Sequence, residues 1–431
     1  VIVLLTVGGF LLYPDPLINA FLKGRIVSAF RDAYPEYSVR IGTIHYDIHE
    51  NRIGFDSVSL VSNDSTLSCT IASYTISGIG WAQLLWARGL VPSGFTGTVL
   101  QAHGMALTFP RERYAVTCAS LRVSVSDSEA VADSVELRPL VDDEEFFAPS
   151  KFRKTRLELT IRQLRISGLT CLELLKGKLY RARSARFQDS FIDVLINKDK
   201  LPAKDTTRLM MPNEFLASLV PKVDVDSLFL LNASLSYGER FAVGAMPGLI
   251  TLDSMQIAVL GLANHGNPND TTGIVARGYF MKRTPMALRF SVPLSSSEFS
   301  LQYSGIVGKM DLRVLNAFLE RAEQVRIKSG RLREATFEIT VLKGRARGTV
   351  RAVYKDFALA TINSRTGSEN GIFDVIASFV ANNLKIRKNN PSGSMAAITI
   401  GKVDYERKRD DPFFRYAWFA LRSGLGDVVG F

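Results

Sequence analysis

The residues best able to do chemistry in this 431-residue chain are four histidines and three cysteines, and their spacing argues against most of that chemistry. His45, Asp47 and His49 alternate along one strand-like stretch with Glu50 adjacent, which puts three metal-ligand types on one face. Same-face strand residues are about 7 Å apart, so the two histidines stand about 13 Å apart at the backbone, too far for one small ion. His103 and His265 have no local catalytic partner. Cys69, Cys118 and Cys171 are widely spaced, without the CxxC pattern of a zinc site or redox pair, and one disulfide among them stays open. Gly305-Ile306-Val307-Gly308-Lys309 hints at a phosphate loop, but Tyr303 occupies the place of its first glycine and Met310 follows the lysine instead of Ser or Thr. No GxSxG, HExxH or EF-hand spacing occurs. The expectation is a noncatalytic protein with no cofactor and no metal.

The elements that hold these residues explain the composition. Lys and Arg number 53 against 42 Asp and Glu, a formal charge of +11, yet mean hydropathy is slightly positive at +0.09. A basic, greasy chain suits an anionic membrane or lipid; nucleic acid would ask for a recognition motif or an aromatic platform beside the charge, and neither is present. The first thirteen residues, VIVLLTVGGFLLY, carry no charge. They read as the remnant (1–14) of a transmembrane anchor, with a signal-peptide core and a buried helix as the other two readings; Tyr13-Pro14-Asp15-Pro16 does not look like a cleavage site. Asp15-Pro16 then starts a helix over 15–35, whose Leu17, Ile18, Phe21, Leu22, Ile26 and Phe30 recur at three- and four-residue steps. Such a helix caps the end of a sheet or lies on a membrane surface.

From Tyr37 the period changes to two. Tyr37, Val39 and Ile41 alternate with polar residues, as do Ile44 and Tyr46, then Leu157, Leu159 and Ile161, and Phe337, Ile339 and Val341. Polar turns separate the runs, predicting a mostly-β fold: an elongated, curved antiparallel sheet with short helices near 80–87, 171–177, 212–219, 311–323, 371–384 and 412–424. Ile76-Ser77-Gly78-Ile79 with Leu84-Leu85 repeats as Ile166-Ser167-Gly168-Leu169 with Leu174-Leu175, ninety residues on. A fainter echo pairs Val223, Val225, Ser227, Leu230 and Ala233 with Val325, Ile327, Ser329, Leu332 and Ala335. Repeated strand–helix–strand units suggest a body in which each unit covers its neighbour. The acidic run Asp142 to Glu145 reads as a solvated loop. The basic residues Lys151, Arg153, Lys154 and Arg156, continued by Lys176 to Arg186, read as a solvent face or as a groove edge that meets lipid phosphates. At the C-terminus Phe413, Phe414, Tyr416, Trp418, Phe419 and Leu421 encircle a helix that must be buried, docked in the body or bound at a membrane interface.

Several phrases together resemble the AsmA-like family. They are Pro16-Leu17-Ile18-Asn19 after the apolar segment, Tyr37-Ser38-Val39-Arg40-Ile41-Gly42, and Asn51-Arg52-Ile53-Gly54-Phe55-Asp56-Ser57-Val58. Near the C-terminus Met310-Asp311-Leu312 with Leu315-Asn316 and Phe318, Ile327-Lys328-Ser329-Gly330, Gly348, and Tyr354-Lys355-Asp356-Phe357 are similar to the end of the same family. The resemblance implies an inner-membrane protein of Gram-negative bacteria with its body in the periplasm, related to chorein-type bridges whose β-groove carries phospholipid. It implies phospholipid, the inner membrane and an envelope protein as partners. On alternation, which does not separate a lipid-lined groove from a sandwich closed on its own side chains, the groove candidates are Val39, Ile41, Tyr46, Leu157, Leu159, Ile161, Phe337, Ile339 and Val341, divided between a groove portion over 36–210 and another over 211–431 that ends in the aromatic helix. The expected role is phospholipid handling in support of outer-membrane biogenesis; the alternative is a noncatalytic assembly factor for outer-membrane proteins, working through exposed strand edges.

Overall fold

The structure is a computed structural model, and it describes residues 14–47, 49–78, 96–175, 177–202, 210–322, 324–362, 386–409 and 411–430. The expected anchor at 1–13 and the expected helices at 80–87 and 371–384 lie outside the described residues. Among the described residues no helix is long and apolar enough to cross a membrane. The fold is mostly β, and every strand pair with a described register runs antiparallel. Two compact units divide the chain, one built mainly from residues up to Asp142 with 158–177 and 181–188, the other from 143–157, 178–180 and Asp189 onward.

The first unit opens with helix α1 (Pro14–Ala33), which begins at the proline before the expected cap and ends where Tyr34-Pro35 was expected to stop it. Lys23 donates from Nζ to the Gly42 carbonyl at 2.7 Å, tying the helix to the chain entering the sheet. Strands β1 (Tyr37–Arg40) and β2 (Thr43–Asp47) pair side by side with the two halves of β3 (Arg52–Ser62). A meander follows through β4 (Ser68–Ser77), β5 (Val99–Phe109), β6 (Tyr114–Ser124), β7 (Glu129–Pro139) and β8 (Thr155–Ser167). Asp47, suggested by spacing as a metal ligand, accepts the backbone N–H groups of His49 at 2.9 Å and Glu50 at 3.1 Å, so it builds the turn into β3. His45 pairs instead across to Asp56, at 2.9 Å.

The ninety-residue repeat has a backbone cause. Gly78 and Gly168 follow the ends of β4 and β8 with φ of +71° and +68°. A Cβ on Gly78 would stand 2.2 Å from the Gly97 carbonyl oxygen, and one on Gly168 would stand 2.6 Å from Arg183 Cβ. Both glycines are therefore required twice over, for the left-handed turn and for the close approach. Helix α2 (Asp143–Phe147) belongs to the second unit, and helix α3 (Cys171–Leu175) follows the second glycine.

Strand β9 (Leu179–Asn197) follows α3, and in the second unit β10 (Lys222–Arg240), β11 (Gly248–Ala263), β12 (Thr272–Phe280), β13 (Thr284–Val292), β14 (Leu301–Val307), β16 (Val325–Leu342), β17 (Arg345–Thr361) and β18 (Ile400–Glu406) continue the antiparallel pattern. The short β15 (Met310–Asp311) pairs with the middle of β16. The fainter echo is structural as well, because β10 and β16 shift register at matching places, Leu230/Ala233 and Leu332/Glu334. Helix α4 (Pro212–Ser218) precedes β10.

The expectation for 311–323 resolves into a 3₁₀ turn over Leu312–Leu315 and helix α5 (Asn316–Ala322). Asp311 caps the turn by accepting from the Arg313 N–H, and the Asn316 side chain holds both polar groups of Ile327 on β16, at 2.8 and 3.0 Å. Phe318, 1% exposed, is the apolar anchor. These are the phrase residues that carried the family resemblance, and here they dock a helix onto a sheet.

The C-terminal helix α6 (Phe413–Val429) decides between docking and membrane contact: it lies against β17 and β18 and buries Tyr416, Ala420 and Val428. Tyr303 on β14 donates its hydroxyl to the Ala417 carbonyl at 2.9 Å, and Phe299 meets Phe413 edge-on. Burial pushes the Tyr416 hydroxyl up to about 12. Phe414 alone of the helix's first aromatics points outward, 83% exposed.

The acidic run is not a solvated loop. Asp143 and Glu144 lie on α2, whose Phe146 and Phe147 are fully buried at 0% and 1% exposure. The Arg156 guanidinium bridges Asp143, at 2.9 Å, and Asp193, while Arg240 pairs with Glu144 and lies over the Phe147 ring. Lys154 stands over the Phe146 ring at 4.1 Å. Charge counting alone misses this, because the two phenylalanines next to the acids bury one side of the helix and set the half-exposed Asp143 and Glu144 carboxylates against Arg156 and Arg240.

Candidate functional site

The arrangement most capable of a function is the apolar face of the first unit. The strand registers carry side chains across six strands in four unbroken rows. The row nearest the β3 start is Ile53, Ile76, Leu100, Val123, Ala130 and Ile166. Next comes Phe55, Tyr74, Ala102, Leu121, Ala132 and Leu164; then Val58, Ile71, Met105, Cys118, Val135 and Ile161. The last row is Leu60, Cys69, Leu107, Val116, Leu137 and Leu159. No charged residue interrupts them. At the strand spacing of a sheet the rows cover about 24 Å across the strands and about 20 Å along them.

These residues do not follow strict alternation. Between the second and third rows every strand skips a residue in the ladder: Ser57, Ala72, Gly104, Ala119, Ser134 and Arg162. On every second strand the skipped residue is left-handed, with φ of 53° at Ser57, 61° at Gly104 and 51° at Ser134. The resulting pattern is apolar at positions 1, 3, 6 and 8, the spacing that lets both halves of a strand share one face when an irregular residue interrupts the alternation at the seam. At Gly104 a Cβ would meet Ala72 Cβ at 2.8 Å, so the seam is also a close approach of two backbones.

Of the expected groove residues, Val39 pairs with Leu60 and Tyr46 with Ile53, extending the last row onto β1 and the first row onto β2. Leu159 and Ile161 belong to the rows directly, and Ile41 is buried, 7% exposed, beside them in the chain. Leu157 is 37% exposed and groups with the second unit. Strict period-two reading stopped at Ile161 and missed Leu164 and Ile166; the signal that finds them is the doubled polar gap at Arg162-Gln163. Most row members are half-buried; Ala102, Ala130, Ala132 and Ile161 are buried. Burial raises the pKa values of the Cys69 and Cys118 thiols, so these act as small apolar side chains in the face. All three cysteines are free thiols.

No family model and no curated protein matches this chain in sequence. What the site can do follows from its own geometry. Its footprint, about 480 Å² at those spacings, falls within the range of the largest apolar patches on ordinary monomers, which are often functional.

The second unit has an apolar face of its own, with a different finish. One row runs Val403, Gly348, Ile339, Tyr303, Phe290, Ile274 and Val259. Under α6 it is closed: Val403, Ile339 and Tyr303 are 3%, 1% and 5% exposed. Val341, with no exposed surface, belongs to the same closed core. Beyond the helix Phe290, Ile274 and Val259 are half-buried. Phe337 marks the margin, half-buried with its ring over Gly305 and edge-on to Tyr303 at 5.9 Å. A Cβ at Gly305 would stand 2.4 Å from that ring, so this glycine, which hinted at a phosphate loop, makes room for an aromatic side chain.

Proposed function

We propose that the protein binds the acyl chains of phospholipid on the apolar face of its first unit and works without catalysis, as a periplasmic, inner-membrane-anchored protein of the AsmA-like kind that moves phospholipid in support of outer-membrane biogenesis. The observation that carries the reading is the set of four uninterrupted apolar rows, divided between the second and third by a seam with left-handed residues on alternate strands, which on our reading keeps all four on one face. Burying acyl chains there is favourable by about 0.8 kcal/mol per CH₂, enough over one chain to offset much of its extraction from a bilayer. The second unit contributes the half-buried part of its own face, and α6 closes the remainder.

The test is native mass spectrometry of gently extracted protein, with Leu164→Asp and Leu121→Asp as variants. Both residues are half-buried in the second row, Leu121 near its middle and Leu164 at its β8 end, where a carboxylate opposes acyl contact without the cost of a sealed core. Wild type is expected to carry phospholipid, and each variant to lose at least tenfold of that occupancy while keeping its β-sheet circular dichroism. A lipid-free wild type, or folded variants that retain lipid, would sink the reading.

A further inference from the structure

The opposite, polar face of the second unit holds a basin of about 590 Å³. Its floor is two cross-strand rows: Arg277, Ala287, Ile306, Thr336 and Arg351, then Val275, Arg289, Ser304, Glu338 and Thr349. Arg277 pairs directly with Ala287 and Arg289 with Val275, so the two arginines are diagonal neighbours on adjacent strands, about 7–8 Å apart at the backbone. Both are exposed, and among the described residues neither has a carboxylate partner. Arg351, across the basin, already pairs with Glu334 at 3.1 Å. Ser304, Thr336 and Thr349 add hydroxyl donors, and Val275 and Ile306 leave apolar surface between the charges, 37% and 53% exposed. Glu338 lies two strands from Arg289 and confines the positive potential to the Arg277–Arg289 end.

We propose that this basin binds a phosphate ester, gripped between the Arg277 and Arg289 guanidiniums with Ser304 as a further donor and the organic group of the ester on Val275 and Ile306. Two guanidinium forks on adjacent strands, lining one basin with a hydroxyl beside them, suit a tetrahedral anion that has several acceptor oxygens; a planar carboxylate would use only one fork. The site lies in the second unit, on the face opposite that unit's own apolar row, and does not rest on the acyl-binding reading.

Titration calorimetry with glycerol 3-phosphate, and flotation with phosphatidylglycerol vesicles against phosphatidylcholine vesicles, tests it. Binding of the soluble ester, or of phosphatidylglycerol vesicles alone, supports the site and tells a free phosphate ester from a lipid headgroup. Arg277→Gln and Arg289→Gln are each expected to weaken binding about tenfold, with Arg289→Lys recovering part of the loss; Arg345→Gln, whose partner is Asp404, should leave it unchanged. Binding of neither probe, binding unaffected by both glutamine variants, or preference for a polyglutamate peptide over the phosphate ester would overturn the assignment. Because the lipid-occupancy experiment uses variants in the other unit, the two proposals fail separately.

Discussion

Replacing Gly401 with Val is expected to detach the C-terminal helix and lower the stability of the second unit by at least about 3 kcal/mol, the upper end of the usual overpacking cost. Gly401 on β18 meets Gly424 on α6 so closely that a Cβ would stand 1.8 Å from the Gly424 carbonyl oxygen. The obstacle is backbone, so no rotamer change relieves it. Gly424 is itself hemmed by Val350 and Val403, whose methyls would meet a Cβ there at 2.7 and 2.8 Å. If the helix lifts, Ile339, Val341, Val350 and Tyr416 lose their cover together, each a side chain whose burial contributes about 1.5–3 kcal/mol. Denaturant midpoints and proteolysis at Arg415 and Arg422 read the effect. Gly393→Val is the control, because nothing lies within 4 Å of its Cβ position. Equal midpoints for the two variants would mean that α6 does not close the sheet.

That contact also shows where the fold was legible in the sequence and where it was not. Six aromatic and aliphatic residues encircling one helix announce that it must be buried, and it is. Which strands receive it depends on two glycines 23 residues apart, Gly401 and Gly424, and a glycine in a strand or a helix carries no address. The start of the apolar face was legible in the same partial way. Val39, Tyr46, Leu159 and Ile161 follow from alternation, but alternation reads each strand as straight. The seam depends on left-handed residues at Ser57 and Ser134, and serine has no intrinsic preference for that conformation that would betray it. Only Gly104 gives a hint. Ile339 and Val341 show the converse limit: their period is that of Leu159, yet Leu159 is half-buried and they are sealed, because period two reports a shared face and says nothing of what lies above it.

Removing the positive charge of Arg156 is expected to destabilise the second unit by about 3 kcal/mol, the scale of breaking a buried ion pair from one side. The side chain is 8% exposed and bridges two carboxylates, and Asp193, 20% exposed, would be left with a desolvated charge. Arg156→Met keeps most of the volume, so the loss reads charge more than packing. Asp193→Asn in the same background should recover stability, giving a coupling of about 1–3 kcal/mol in a double-mutant cycle. Denaturant unfolding of the two single variants and the double variant measures it. A deficit in Arg156→Met that Asp193→Asn leaves untouched would show that the arginine acts there by packing alone.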